Sequence, residues 1–160
     1  MPTHYSRIQI ALHWAVFLLI AFQFVAHDAM EEAWEVIEKG GTAAPSTMAW
    51  AHVGAGMLVL AFAVWRLALR LTRGVPPLPK EEPPMMQMAA HVTHWALYAL
   101  MILLPIGGGM AWFGGLEFAA EMHGTFAPVL MALFLLHVAG ALYHQFVLKT
   151  NLMDRMRTPG

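Results

Sequence analysis

Histidine is the residue type whose positions in this sequence suggest chemistry. Of nine histidines, six lie within or at the ends of long apolar segments, and His123 lies just before the last segment. The six are His13, His52, His91, His94, His137 and His144. An ionisable ring inside a membrane is costly unless it has a partner, so each is a functional candidate. A hydrogen bond between helices would explain one such ring, whereas the whole set favours ligand binding.

The spacing of the histidines predicts two separate centres. His123 and His137 are fourteen residues apart, which is close to four helical turns and ~21 Å along a helix axis. They share one helix face but cannot bind the same metal ion. His13 lies a little way in from the start of the first segment, and His52 lies at a similar depth from the start of the second, which is on the other side of the membrane. We therefore expect His52 at the level of His123 and His13 at the level of His137, with one level near each membrane surface.

Two imidazoles at each centre, in apolar surroundings, are typical of haem iron with two axial histidines. Zinc would require four close ligands, which the apolar neighbours do not supply. The chain has no cysteine, which excludes thiolate-bound clusters and covalent haem attachment. Because protein fills both axial positions, oxygen would not readily coordinate, and the expected task is one-electron transfer.

Four apolar segments must position these rings. They cover about residues 8–26, 48–69, 86–106 and 126–148, each near the ~20 residues that a membrane span requires. The chain is 59% hydrophobic and 12% charged, against roughly a quarter charged in soluble domains. We predict an all-α, four-helix integral membrane bundle forming one domain over residues 1–160. The first segment could be a signal peptide, but its length, the buried His13 and the lack of a clear cleavage site favour a retained helix.

Charge differs sharply between the two ends of this bundle. The basic side comprises the N-terminus, the loop 70–87 and the C-terminal tail; its cations are Arg7, Arg66, Arg70, Arg73, Lys80, Lys149, Arg155 and Arg157. The acidic side comprises the loops 27–47 and 107–122, with seven carboxylates against one lysine: Asp28, Glu31, Glu32, Glu35, Glu38, Glu117, Glu121 and Lys39. Since basic loops stay in the cytoplasm, both termini are predicted to be cytoplasmic.

Two connecting segments have recognisable character. Residues 75–84 (VPPLPKEEPP) predict a stiff, extended linker on the basic side. Residues 30–39 (MEEAWEVIEK) predict a short acidic helix along the interface, with Trp34 and Ile37 turned to lipid. The net charge of −1 gives no indication of a nucleic-acid partner.

The chain resembles the bacterial cytochrome b561 family in four stretches. These are residues 5–14 (YSRIQIALHW), 51–70 (AHVGAGMLVLAFAVWRLALR), 84–100 (PMMQMAAHVTHWALYAL) and 123–156, which begins HGTFAPVLMALFLLHVAGALYH. The resemblance implies two haem b groups, with His13 paired to His137 and His52 to His123 as axial ligands. It also implies a multi-pass protein of the bacterial inner membrane that links a periplasmic electron donor to the quinone pool, with superoxide oxidation coupled to ubiquinone reduction.

Several basic-side residues are candidates for contacts with these cofactors. His144, seven residues beyond His137, could donate a hydrogen bond and protons to quinone, together with Tyr5, Ser6 and Lys149. The alternative is that His144 is an interfacial side chain that reaches towards water. Arg66 and Arg70 are expected either to pair with haem propionates or to anchor their helix. His91 and His94 are not family ligands, and hydrogen bonding within the bundle is expected for them.

Other functions stay open at this point. The acidic side would repel superoxide and would attract a basic c-type cytochrome. The chain could also be a haem b subunit that anchors a periplasmic dehydrogenase. A histidine-lined metal transporter is a candidate from another class, although the ~21 Å between His123 and His137 argues against one shared site. A cofactor-free structural anchor would leave the histidines unexplained.

Overall fold

Four long apolar helices carry the candidate site. The computed structural model describes residues 4–41, 44, 46–77 and 82–159. Its helices are α1 (Arg7–Val25), α2 (His27–Glu38), α3 (Thr47–Arg73), α4 (Pro84–Gly114) and α5 (Glu117–Phe146), followed by a short 3₁₀ helix, Leu152–Met156. No strand occurs within these ranges. All but α2 among the five α-helices are long and apolar enough to cross a bilayer, so the predicted all-α membrane bundle is confirmed.

Serine side chains define where two of the spanning helices begin. The hydroxyl of Ser6 accepts from the backbone N–H of Gln9, whose side-chain oxygen accepts in return from the Ser6 backbone N–H, forming a capping box for α1. Ser46 caps α3 in a similar way by accepting from the Ala49 N–H at 3.1 Å. These bonds satisfy N–H groups that the first helical turn leaves free. They fix the start of α1 on the basic side and of α3 on the acidic side.

Two of the predicted helix limits are wrong. Helix α4 continues through Pro105 and three glycines to Gly114, although residue 106 was the expected end. Membrane helices tolerate proline because neighbouring helices satisfy the backbone groups it frees. Helix α5 begins at Glu117, nine residues before the expected start, because its first two turns are too polar to be counted as an apolar span. Both His123 and His137 therefore lie on one continuous helix.

Each spanning helix packs closely against the next spanning helix in sequence order. The closely packed pairs are α1 with α3, α3 with α4, and α4 with α5, while α2 lies against α3. Between the two histidine levels they form an apolar core, whose buried members are Val16, Ile20, Val59, Ala63, Leu97, Tyr98, Met101, Leu104 and Leu130. Helix α5 reaches α1 and α3 through side chains, including Phe134 against Phe17 at 5.0 Å and the histidines described below. Many large apolar side chains point outwards, which suits a lipid solvent.

Helix α2 is the short acidic helix expected from the sequence, and it begins at His27. Its Ala33 is buried, and its indole, Trp34, donates from Nε1 to Glu38 Oε1 at 2.8 Å. Trp34 also lines a cavity that reaches His52. Trp34 is thus partly buried at this cavity, and the lipid contact expected for Trp34 and Ile37 stays a prediction. The helix covers the acidic-side mouth of that cavity.

Candidate functional site

Two pairs of histidine rings lie between helices, one pair near each end of the bundle. On the acidic side, the ring centres of His52 (α3) and His123 (α5) are 6.3 Å apart, with their planes at 63°. On the basic side, the ring centres of His13 (α1) and His137 (α5) are 6.1 Å apart, with their planes at 64°. The structure thus brings together the four expected ligand residues, in the expected pairs.

These separations fit two imidazoles bound to one metal ion from opposite sides. An imidazole nitrogen lies about 1.1 Å from its ring centre, and a metal–imidazole bond is ~2.0 Å long, so the centres should be ~6.2 Å apart. Both pairs agree with this value. Across the part of the chain that the structure describes, no group of three His, Asp or Glu side chains is arranged to hold a metal ion. Two imidazoles alone suit iron whose remaining ligands come from a macrocycle.

His123 is held by a contact that fixes which of its nitrogens is free. Its Nδ1 lies 2.8 Å from the Leu104 carbonyl oxygen, and since that oxygen can only accept, Nδ1 is the donor. Nε2 is then left without a proton and available for a metal, as is usual for metal-bound histidine. Gly108 makes room for the ring, because a Cβ there would lie 3.0 Å from both Cε1 and Nδ1 of His123.

A cavity of about 420 Å³ opens beside the acidic-side pair. His52 and His123 line it together with Gln23, Gly56 and Trp112, and α2 contributes side chains at its mouth. The size is within the range of cofactor and ligand sites. Its walls are mostly apolar, which suits a flat, largely apolar ring system.

The basic-side pair has additional polar neighbours. The Arg66 guanidinium lies 3.0 Å from Nδ1 of His13, and because arginine can only donate, Nδ1 is the acceptor here. His94 is the third ring of this group, with its centre 5.1 Å from that of His137. Its Nδ1 donates to the Ala90 carbonyl oxygen of its own helix at 2.6 Å. His94 is therefore hydrogen-bonded within the bundle, as expected, and lies beside a candidate ligand.

Arg66 and Arg70, the two candidate partners of haem propionates, lie near Tyr98. The guanidinium carbons of Arg66 and Arg70 are 5.8 and 5.9 Å from the centre of the Tyr98 ring, and Arg70 is also 5.5 Å from Trp95. Cations over aromatic faces keep favourable electrostatics in a partly dry site. Tyr5, just before α1, belongs to the same group: burial raises the pKa of its phenol, and the charge of Arg70 opposes that shift. The phenol therefore stays a hydrogen-bond donor at neutral pH.

The other predicted quinone residues have different surroundings. His144 contacts two residues that the sequence analysis did not select: its Nε2 is 3.4 Å from Glu82 Oε1 and its Nδ1 is 3.2 Å from Thr150 Oγ1. Ser6 is engaged as the cap of α1, and Lys149 is exposed in the turn after α5. The four candidates thus belong to separate sets of contacts, with Tyr5 beside the arginines and His144 beside Glu82.

Glu82 and Gly108 are the important residues that sequence reasoning missed. Glu82 stands in a proline-rich charged linker, where carboxylates are normally solvated, yet only 4% of its side chain is exposed. Nothing in the pattern KEEPP distinguishes it from its neighbour. Gly108 lies just beyond residue 106, the expected end of the third apolar segment, so the sequence did not connect it with His123. His91, by contrast, is exposed and bonds to the Gln87 carbonyl oxygen of its own helix at 2.9 Å, which agrees with a role outside the ligand set.

Comparison with known proteins identifies the family of this chain. Residues 4–159 match the family of prokaryotic cytochrome b561. The chain is 37% identical to a cytochrome b562 from Cereibacter sphaeroides, over 97% of this chain and 96% of that protein. It is 33% identical to a probable superoxide oxidase CybB from Yersinia pestis, over 98% and 97%. A cytochrome b561 homolog from Escherichia coli is 25% identical over 95% and 96%. The chain therefore belongs to the prokaryotic cytochrome b561 family and is a multi-pass bacterial membrane cytochrome of the b type, working in electron transfer.

Proposed function

We propose that this protein holds two haem b groups and passes single electrons from a periplasmic donor to the membrane quinone pool. The observation that carries the proposal is the pair of ring separations, 6.3 and 6.1 Å, at two levels of one bundle. The charge asymmetry supports an orientation in the bacterial inner membrane with the basic side and both termini in the cytoplasm. The acidic side would then meet the donor and the basic side the quinone.

Each histidine pair has a defined task in this proposal. His52 and His123 hold the acidic-side haem, and His13 and His137 hold the basic-side haem. Haem iron, when bound, supplies a one-electron couple. With both histidines of a pair bound to the iron, these residues would leave oxygen no position for direct coordination, and the chemistry supplied would be electron transfer. The Leu104 carbonyl oxygen keeps the His123 ring oriented by accepting its Nδ1 proton.

Arg66 is suited to the carboxylates of the basic-side haem. In the described contact it donates to Nδ1 of His13, which leaves the proton of a neutral ring on Nε2. A ring that binds iron through Nε2 carries its proton on Nδ1, so it cannot also accept from Arg66. The guanidinium is then available for another acceptor, and a haem propionate supplies one. Arg70, over Trp95 and Tyr98, is placed to assist.

Superoxide is the donor that we propose, and ubiquinone the acceptor. The reaction balances as two superoxide ions, one quinone and two protons giving two molecules of oxygen and one quinol. The relative from Yersinia pestis, named a probable superoxide oxidase, supports this assignment. His144 and Tyr5 are proposed as quinone-side hydrogen-bond donors, with Ser6 and Lys149 as outer neighbours.

A second candidate donor is favoured by the exposed carboxylates of α2. Asp28, Glu31, Glu32 and Glu35 are all exposed there, and only Glu35 is close to a lysine, Lys39, at 2.6 Å. Such a surface repels a small anion and attracts a basic protein. A basic c-type cytochrome or a periplasmic dehydrogenase subunit would fit it. A metal transporter is less well supported, since each level offers a ring pair with bis-imidazole spacing.

Haem stoichiometry in single-histidine variants tests the assignment. The purified wild-type protein should contain two haems per chain and show a sharp low-spin b-type band in its reduced-minus-oxidised spectrum. His13→Ala or His137→Ala should leave only the acidic-side haem. His52→Ala or His123→Ala should leave only the basic-side haem, and the two remaining haems should differ in midpoint potential. His91→Ala is the matched control and should keep both. Intact haem content in all four ligand variants would refute the assignment.

A further inference from the structure

Glu82 is a buried carboxylate whose surroundings do not satisfy it. It lies immediately before α4, with 4% of its side chain exposed, and neither carboxylate oxygen has a hydrogen-bond partner in the described structure. Its nearest polar neighbour is Nε2 of His144, 3.4 Å from Oε1. Burying a charged carboxylate without partners is costly. A buried, unsatisfied acid in a protein of this kind therefore requires a functional explanation.

The contacts of His144 favour a proton shared between this ring and Glu82. Thr150 Oγ1 donates its hydrogen to the His144 carbonyl oxygen at 3.3 Å, so towards the ring it can only accept. Nδ1 of His144 is therefore the donor in its 3.2 Å contact with Thr150. In a neutral ring Nε2 then has no proton, and it would face the carboxylate as a second acceptor. One proton between Nε2 and Glu82 Oε1 removes that conflict, either on the ring or on the acid.

In our proposed topology, the Glu82–His144 pair lies between the basic-side haem and the cytoplasmic surface. His144 follows His137 by two helical turns on α5, which is ~10.5 Å along the axis. The side chain of His144 is 13% exposed, so both partners are largely shielded from bulk water. Gln87 donates to the Glu82 backbone oxygen at 2.9 Å and ties the start of α4 to this residue.

We infer that Glu82 and His144 together form the proton donor for quinone reduction. The inference rests on the proposed function and adds Glu82 to it as a catalytic residue. Quinone takes up two electrons from the protein and two protons. Each proton passes from the Glu82–His144 pair to a quinone oxygen, forming an O–H bond, and the pair then regains a proton from water. The free Oε2 of Glu82 is available to accept a hydrogen bond from the quinol hydroxyl that forms.

The experiment measures only the transfer of electrons from the reduced haems to quinone. Purified full-length protein is reduced chemically at both haems and mixed with a short-chain ubiquinone, and haem reoxidation is followed optically per haem. General acid catalysis typically contributes ~10²–10⁴-fold, so Glu82→Gln and His144→Gln should slow reoxidation at least about tenfold. Glu82→Asp, which keeps an acid, should recover part of the rate. Asp154→Asn removes an exposed carboxylate of the same side and should match the wild type.

The possible results separate this inference from the function on which it rests. If reduced wild-type protein holds two haems but is not reoxidised by quinone, the proposed acceptor is wrong. If the wild type is reoxidised and both Glu82→Gln and His144→Gln keep its rate per haem, the proton-donor role is wrong. A loss of thermal stability with an unchanged rate would likewise assign the pair a purely structural role. A slowed rate at unchanged haem content supports the inference.

Discussion

The ring of His123 depends on two features of α4 that lie four residues apart. Leu104 supplies the carbonyl oxygen that accepts from Nδ1, and Gly108 leaves the space in which the ring lies. Helix α4 offers both because it stays helical through Pro105. The position of the His123 ring on α5 is therefore set by Leu104 and Gly108 of the neighbouring helix α4.

Gly108→Ala is expected to disturb this centre selectively. The new Cβ would lie 3.0 Å from Cε1 and Nδ1 of His123, so the ring must shift by a few tenths of an ångström and its bond to Leu104 must weaken. We expect reduced occupancy of the acidic-side haem or a shifted midpoint potential, while the basic-side haem is unchanged. Redox titration of the purified variant measures both quantities.

Gly109→Ala is the matched control for this substitution. A Cβ at Gly109 meets nothing within 4 Å, and alanine favours a helix over glycine by about 1 kcal/mol. Both haems should therefore remain normal in Gly109→Ala. Equal behaviour of the two variants would mean that Gly108 does not limit the position of His123.

At the scale of single residues, the sequence predicts the histidine pairs but not their supports. Spacing on α5 separates the levels of His123 and His137 because helical rise is constant. The Leu104 carbonyl oxygen and the buried acid Glu82 could not be predicted, since a backbone carbonyl carries no sequence signal and the burial of Glu82 depends on its packing beside His144 of α5. Such contacts are set by tertiary packing.

At the scale of elements, the length of an apolar segment predicts a membrane-spanning helix well, but it predicts the ends of that helix poorly. The four spans were found because ~20 apolar residues in succession have few alternatives to crossing a bilayer. The predicted stop near residue 106 failed because proline and glycine end helices in water, where freed backbone groups can be hydrated. In lipid, a helix is the state that leaves fewest backbone groups unsatisfied, so α4 continues to Gly114.

The cap of α3 is expected to affect retention of the acidic-side haem, because His52 lies only six residues after Ser46. Ser46→Ala removes the 3.1 Å bond to the Ala49 N–H and should cost ~1 kcal/mol. For a chain of this size that corresponds to a fall in Tm of about 2–4 °C. Thermal loss of the b-type absorption measures it.

Two further variants make the capping prediction specific. Ser46→Asp retains an oxygen acceptor at the cap and should keep the wild-type Tm. Thr47→Ala changes the next residue, whose side chain makes no hydrogen bond in the described structure, and should also leave Tm unchanged. An equal loss in Thr47→Ala and Ser46→Ala would point to a general weakening of the first turn rather than to the cap.

At the scale of the whole molecule, opposite charges at the two ends give the bundle a direction. The arginines in the last turns of α3, two of them near Tyr98, lie at the quinone end of our proposal, and the carboxylates of α2 lie at the donor end. The exposed carboxylates of α2 are not among the candidate ligands, so their charge can be changed to report on the donor.

Neutralising the donor end is expected to distinguish a small anion from a basic protein. Asp28 and Glu32 are exposed on α2, and Asp28→Asn/Glu32→Gln removes two negative charges from this surface. If superoxide is the donor, haem reduction at low salt should become about two- to fivefold faster, because repulsion of the anion falls. If a basic c-type cytochrome is the donor, its electron transfer should slow by a similar factor. Stopped-flow reduction by each donor measures the two rates.

Salt provides the internal control for this experiment. Raising the ionic strength shortens the Debye length from ~30 Å at 0.01 M to ~8 Å at 0.15 M, so either effect should shrink with added salt. Arg73→Gln, an exposed change at the opposite end, should alter neither rate. Because the sign of the change differs for the two donors, one variant decides between them. If the variant leaves both rates unchanged at low salt, the carboxylates of α2 do not steer the donor, and the acidic helix serves instead to cover the cavity beside His52.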